Sequence, residues 1–123
     1  MEMNTPDFRT GSGIAFATEV RIVLTTAASR EEAAALGQAL VEERLAACAT
    51  VIPGAESIFH WQGKVERSSE AVVLLKTEER LLGALETRLH ALHSYETPEF
   101  LVLPVIGGSK GYLAWLSSSL SGP

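Results

Sequence analysis

Hydrophobic and polar positions change period several times along the chain, and each change marks an element. In EVRIVLTTA, at 19–27, Val20, Ile22 and Leu24 fall on one face at alternate positions, as a strand requires. The period then lengthens. Ser29 with Glu32 forms a capping box, in which two side chains satisfy backbone N–H groups that a first helical turn leaves unpaired. Ala33, Leu36, Ala39 and Leu40 follow at helical spacing and predict a helix ending near Leu45 or Ala46. The segment 48–77 is rich in Val, Ile, Phe and Trp and predicts two strands. Pro53-Gly54 interrupts the first with a kink or bulge. Gln62-Gly63 supplies the tight hairpin turn between them, because Gly reaches positive φ without strain.

Thr77 is placed to cap a second helix, with Glu78 and Glu79 favoured by the helix dipole. Its apolar stripe is Leu81, Leu85, Leu89 and Leu92, and Gly83 weakens it by up to about 1 kcal/mol relative to Ala. Pro98 disfavours helix at Thr97. FLVLPVI at 100–106 then predicts a buried strand. GGSKG at 107–111 predicts a loop with Ser109 as cap, and Tyr112, Leu113, Trp115, Leu116 and Leu120 predict a short C-terminal helix.

The order is β-α-β-β-α-β-α. Two β-α-β units joined by a hairpin are the split arrangement of ferredoxin-like folds, an α+β class with an antiparallel sheet and both long helices on one face. AVVLLK at 71–76 and FLVLPVI are apolar at successive positions, a pattern of strands covered on both faces. Two helices cover one face. Another copy of the chain is the simplest cover for the other, so a stable homo-oligomer is expected.

Composition narrows the class. A length of 123 residues suits one domain, read as a flexible N-terminal tail at 1–17 and a single domain at 18–123. The net charge of −5, with Lys and Arg scattered, argues against nucleic acid as a partner. The single cysteine excludes an intramolecular disulfide and a multi-cysteine zinc site, and it suits a reducing, cytoplasmic setting. No run approaches the roughly 18 apolar residues of a membrane span, so no membrane association is expected.

Five motifs stand in sequence: EERLAACATVIPG at 42–54, SIFHWQGKVE at 57–66, LLKT at 74–77, LHSYETPEFLVLPV at 92–105 and YLAWL at 112–116. In order and spacing the chain resembles the CutA family, named for divalent-cation tolerance, over about residues 20–120. The resemblance implies a ferredoxin-like protomer in a compact homotrimer, with sheets around the threefold axis and helices outward. It implies weak binding of Cu2+ or another divalent cation. A PII-like trimeric signalling or small-ligand-sensing module, and a structural trimeric scaffold, are the alternative readings.

Where the family has H-P-Y-E-x-P-E, this chain has His93, Ser94, Tyr95, Glu96, Thr97, Pro98 and Glu99, and the serine is expected to loosen the turn. An imidazole with a carboxylate suits a borderline ion, so His93 and Glu99 are the expected metal ligands. Glu96, water or a neighbouring subunit would supply a third. The plainer reading puts His93 at a helix C-terminus by the dipole and Glu99 at a strand start. His90 reads as a solvated helix residue, and His60 as facing away from Phe59 and Trp61. Thr25 stands where some relatives carry a cysteine implicated in metal binding, which removes a soft ligand. Cys48 is either a small buried cysteine or a thiol of a ligand site. Lys76, Tyr95, Tyr112, Trp61 and Trp115 match recurring family positions. With Cys48 they are expected to meet in an intersubunit cleft for a small anionic ligand, or, for the tryptophans, to pack the trimer. GGSKG does not fit a phosphate loop, and no nucleophile, dinucleotide or metalloprotease motif is present, so no catalytic residue is expected.

Overall fold

The central strand of the main sheet runs between two partners that come from distant parts of the chain. In the computed structural model, which describes residues 13–122, strand β2 (Val20–Ala27) pairs with β4 (Lys64–Glu78) on one side and β5 (Leu101–Pro104) on the other. Strand β3 (Cys48–Trp61) lies outside β4, giving the antiparallel order β3-β4-β2-β5. A separate two-stranded ribbon pairs β1 (Ile14–Phe16) with β6 (Gly107–Ser109).

Helices α1 (Arg30–Glu42) and α2 (Leu82–Leu92) close one face of the sheet. Val23, Val73 and Leu75 meet Leu36, Leu40, Leu85 and Leu89 there, all buried. Each such side chain contributes about 1.5–3 kcal/mol by leaving water. Helix α1 starts as its sequence requires. Ser29 Oγ accepts the Glu32 N–H at 3.1 Å, and the Glu32 carboxylate accepts the Ala28 N–H at 3.1 Å. The helix stops at Glu42, short of the expected Leu45, because Arg44 turns to a φ of 58° and breaks the helical path.

The other face holds the residues that alternate with this core. Val72 and Leu74 of β4 sit beside Ile22 and Leu24 of β2, half-buried, while Ile52, Leu101 and Leu103 are exposed. Helix α3 (Lys110–Leu120) covers one end of this face, packing Leu116 and Leu120 on Val20. The remainder is bare, and Leu101 is 54% exposed.

The hairpin of β3 and β4 carries two local devices. Gln62 and Gly63 both take positive φ, 49° and 77°, the requirement of a two-residue turn matched to strand twist. At Pro53-Gly54 the register slips: Ile52 faces Val72, but Ala55 faces Glu70. Three steps on β3 span two on β4, so one extra residue bulges out.

Four expectations change. Thr77 does not cap the second helix. It is the last buried residue of β4, donating its hydroxyl to the Leu45 carbonyl at 2.7 Å, and a short 3-10 turn at Glu79–Leu81 leads into α2. The tail expected through residue 17 gives way at Ile14, where the chain pairs with β6; the rest of that expectation lies outside the described residues. GGSKG is not wholly loop, since Gly107–Ser109 is a strand, and Ser109 precedes α3 without a side-chain cap. The buried strand at 100–106 shortens to Leu101–Pro104, and its side chains are exposed within one chain.

Candidate functional site

Helix α2 ends at His93, whose backbone turns extended, with φ −80° and ψ 144°. The imidazole folds under the following loop and is buried. Its Nδ1 lies 3.0 Å from the Tyr95 backbone N–H, a donor, so Nδ1 accepts and carries no proton. Nε2 then holds the proton and donates to the Thr26 carbonyl at 2.7 Å. The ring lies 4.7 Å from the Tyr95 ring, tilted by 46°. His93 therefore ties the loop to the end of β2.

The Tyr95 side chain extends this chain of contacts to the surface. Its hydroxyl donates to Glu70 Oε2 at 2.8 Å. Burial, the hydrogen bond to Glu70 and the Glu70 charge together push the phenol up to about 12. At Glu70, burial works upward, but hydrogen bonds from Ser57, Tyr95 and Thr26 outweigh it and hold the carboxyl below its ordinary value. Glu70 is thus ionised at neutral pH. Beside it opens a cleft of ≈ 590 Å³ with Thr26, Ser57 and Phe59 on the sheet side and Tyr95 and Glu99 on the loop side. Its described lining holds two carboxylates and no Lys, Arg or His.

Ser94, expected to loosen the turn, makes a tie of its own. Its hydrogen bond to Glu32 is the main reason that carboxyl lies below its ordinary value. His90 is exposed as expected, with Nε2 at 2.9 Å from the Glu96 carbonyl and Nδ1 3.8 Å from Glu86.

Within one chain the geometry does not bring the expected metal pair together. His93 gives both ring nitrogens to the backbone and is not among the cleft's lining residues, so the ligand role would require breaking two hydrogen bonds. Glu99 lines the cleft, while Glu96 is exposed and contributes its backbone carbonyl to His90. Among the described residues no three His, Cys, Asp or Glu side chains are grouped to hold a metal ion.

The expected ligand cleft is also divided within one chain. Tyr95 belongs to the acidic cleft. Lys76 lies elsewhere, with Nζ donating to the Tyr112 hydroxyl at 2.9 Å and 5.1 Å from that ring's centre. The Tyr112 hydrogen bond raises the Lys76 pKa against the opposing effect of burial. Trp115 is 5.4 Å from Tyr112 and packs the α3 end of the sheet. Cys48 is the direct cross-strand partner of Lys76, half-buried, with its Sγ 3.9 Å from Thr50 Oγ1. Trp61 stands apart at the hairpin tip, 60% exposed. Glu70 escaped the sequence reading. Its signal was a carboxylate immediately before the apolar run AVVLL, the mirror of Lys76 after it.

An antiparallel α+β protein, with three α-helices among the described residues and an acidic cleft beside the loop that follows the second, is the class that fold and site define. The chain belongs to the CutA1 divalent ion tolerance protein family, whose sequence profile matches residues 21–119. The divalent-cation tolerance protein CutA of Pectobacterium atrosepticum is 48% identical over 99 residues, covering 80% of this chain and 90% of that protein. The chloroplastic protein CutA of Arabidopsis thaliana is 42% identical over 98 residues, 80% of this chain and 54% of the plant protein. The solved structure of CutA from Synechococcus elongatus superposes with a TM-score of 0.86 at 41% identity, covering 89% of this chain and 97% of that one. The resemblance carried by the five motifs is shown.

Proposed function

We propose that this protein serves divalent-cation tolerance as a cytoplasmic homotrimer that binds the cation without chemistry. The observation that carries the reading is the acidic cleft: Glu70, held ionised, faces a space shared with Glu99 and unneutralised by any described basic lining residue. Carboxylate, hydroxyl and phenol oxygens suit a hard cation such as Mn2+ or Mg2+ better than copper, which prefers imidazole or thiolate. Two carboxylates hold a cation weakly, and a neighbouring copy is the source of further donors. The bare apolar face with Leu101, Leu103 and Ile52 supports such an assembly, because exposed apolar surface of this kind marks an interface. A single cysteine, present as a free thiol, supports the cytoplasmic placement.

Titration calorimetry with Mn2+ and with Cu2+ tests the reading on wild type, Glu70→Gln, Glu99→Gln and His93→Ala. We expect Mn2+ binding to weaken about tenfold or more in each glutamine variant, as losing a charged ligand implies. Isotherms unchanged in both glutamine variants would remove the cleft from the function. Cu2+ binding lost only in a folded His93→Ala protein would restore the imidazole.

A further inference from the structure

Val20 and Ile22 of β2 and Lys76 of β4 stand on the sheet face that α1 and α2 leave uncovered, and Ile22 and Lys76 are direct cross-strand partners. Helix α3 crosses above them with Tyr112, Leu113 and Leu116, and β6 closes the end. The space between is ≈ 150 Å³. Apolar cavities of about that volume accept benzene. Among the described lining residues Lys76 is the single charge, and there is no carboxylate.

An ammonium set against apolar walls is unfavourable unless something answers its charge. Tyr112 answers part of it: the hydroxyl accepts one N–H at 2.9 Å, and the ring lies 5.1 Å away. These contacts also fix where the ammonium sits. An ammonium carries three donors, and Tyr112 takes one of them. The glycine at 108 shapes the roof, since a Cβ there would come within 3.1 Å of Leu113.

We propose that this pocket binds a small monocarboxylate with a compact apolar body, of benzoate or 3-methylbutanoate type, its carboxylate at Lys76 Nζ and its body against Ile22, Leu113 and Leu116. A carboxylate on one ammonium makes a charge-assisted hydrogen bond. Inorganic phosphate lacks the apolar body and brings more charge than one lysine neutralises. A neutral amide forfeits the ion pair. The site is separate from the acidic cleft and does not depend on it.

Methyl-resolved NMR titration of the full chain with benzoate tests the assignment. We expect saturable shifts centred on Ile22, Leu113 and Leu116. The apparent Kd should rise about tenfold or more in Lys76→Met and several-fold in Tyr112→Phe. Circular dichroism and thermal melting establish that both variants are folded. Benzamide and phosphate should give no saturable shifts, and Glu99→Gln should bind benzoate as wild type does. Absence of saturation at millimolar benzoate would overturn the proposal. So would equal binding by folded Lys76→Met, shifts confined to the acidic cleft, or a pocket found filled by side chains of a neighbouring copy.

Discussion

At the scale of single residues, His93 is the joint of the site. Replacing it by Ala leaves the Thr26 carbonyl with only the longer 3.5 Å contact from Thr25 Oγ1 and removes the acceptor of the Tyr95 N–H. A buried polar group that loses its partner costs about 1–3 kcal/mol. Urea unfolding should therefore show a lower midpoint at an unchanged slope. Tyr95 and Glu70 carry opposite pH signs. The folded phenol lies at about 12, above its ordinary 10.0, so its contribution is complete below 10 and is lost as pH rises toward 12. The folded Glu70 carboxyl lies below 4.5, so its contribution is present above that value and is lost as pH falls through the lower one. Tyr95→Phe should flatten both limbs of a stability-against-pH curve; unchanged limbs would place the linkage elsewhere. The motif HSYETPE stands out in the sequence, but the hydrogen bonds that its histidine makes do not. That neither nitrogen of His93 is left free depends on Thr26, which lies far away in the chain, and spacing along a helix carries no such information.

At the scale of elements, two glycines in helices make contrary predictions. Gly37 of α1 is buried, and a Cβ there would stand 2.8 Å from the Ala49 Cβ, so Gly37→Ala should lower the melting temperature despite better helix propensity. Gly83 of α2 faces open space, so Gly83→Ala should stabilise by up to about 1 kcal/mol and raise it. Thermal denaturation of the two variants side by side decides the matter, and a shared sign would contradict the packing described. The long helices and β2 were readable from a repeated period, and β4 and β5 from unbroken apolar runs. Ends were harder. Thr77 has the chemistry of a cap, yet the carbonyl of Leu45 claims its hydroxyl. Ile14–Phe16 is too short to announce itself and exists as a strand through Gly107–Ser109. Both cases are tertiary contacts overriding a local preference.

At the scale of the whole molecule, the uncovered face is the surface on which the proposed trimer would close. Leu101 and Leu103 share it with Ile22 and Leu24, on an outermost strand of the sheet. Charge there cannot be buried against a second copy without a partner. The paired variant Leu101→Glu, Leu103→Glu should sediment as a monomer, with wild type as a trimer. A wild-type monomer at micromolar concentration would remove the assembly and the shared donors with it. The extra residue at Pro53-Gly54 belongs to this scale as well. Before it, Ala49 and Val51 point to the helices; after it, Ser57, Phe59 and Trp61 share the side of Glu70. The bulge thus acts like a shift of reading frame for the outer arm of the hairpin. Excising one residue there would send Ile58 and His60 to the side that Phe59 and Trp61 now occupy, inverting the arm while leaving its composition almost untouched.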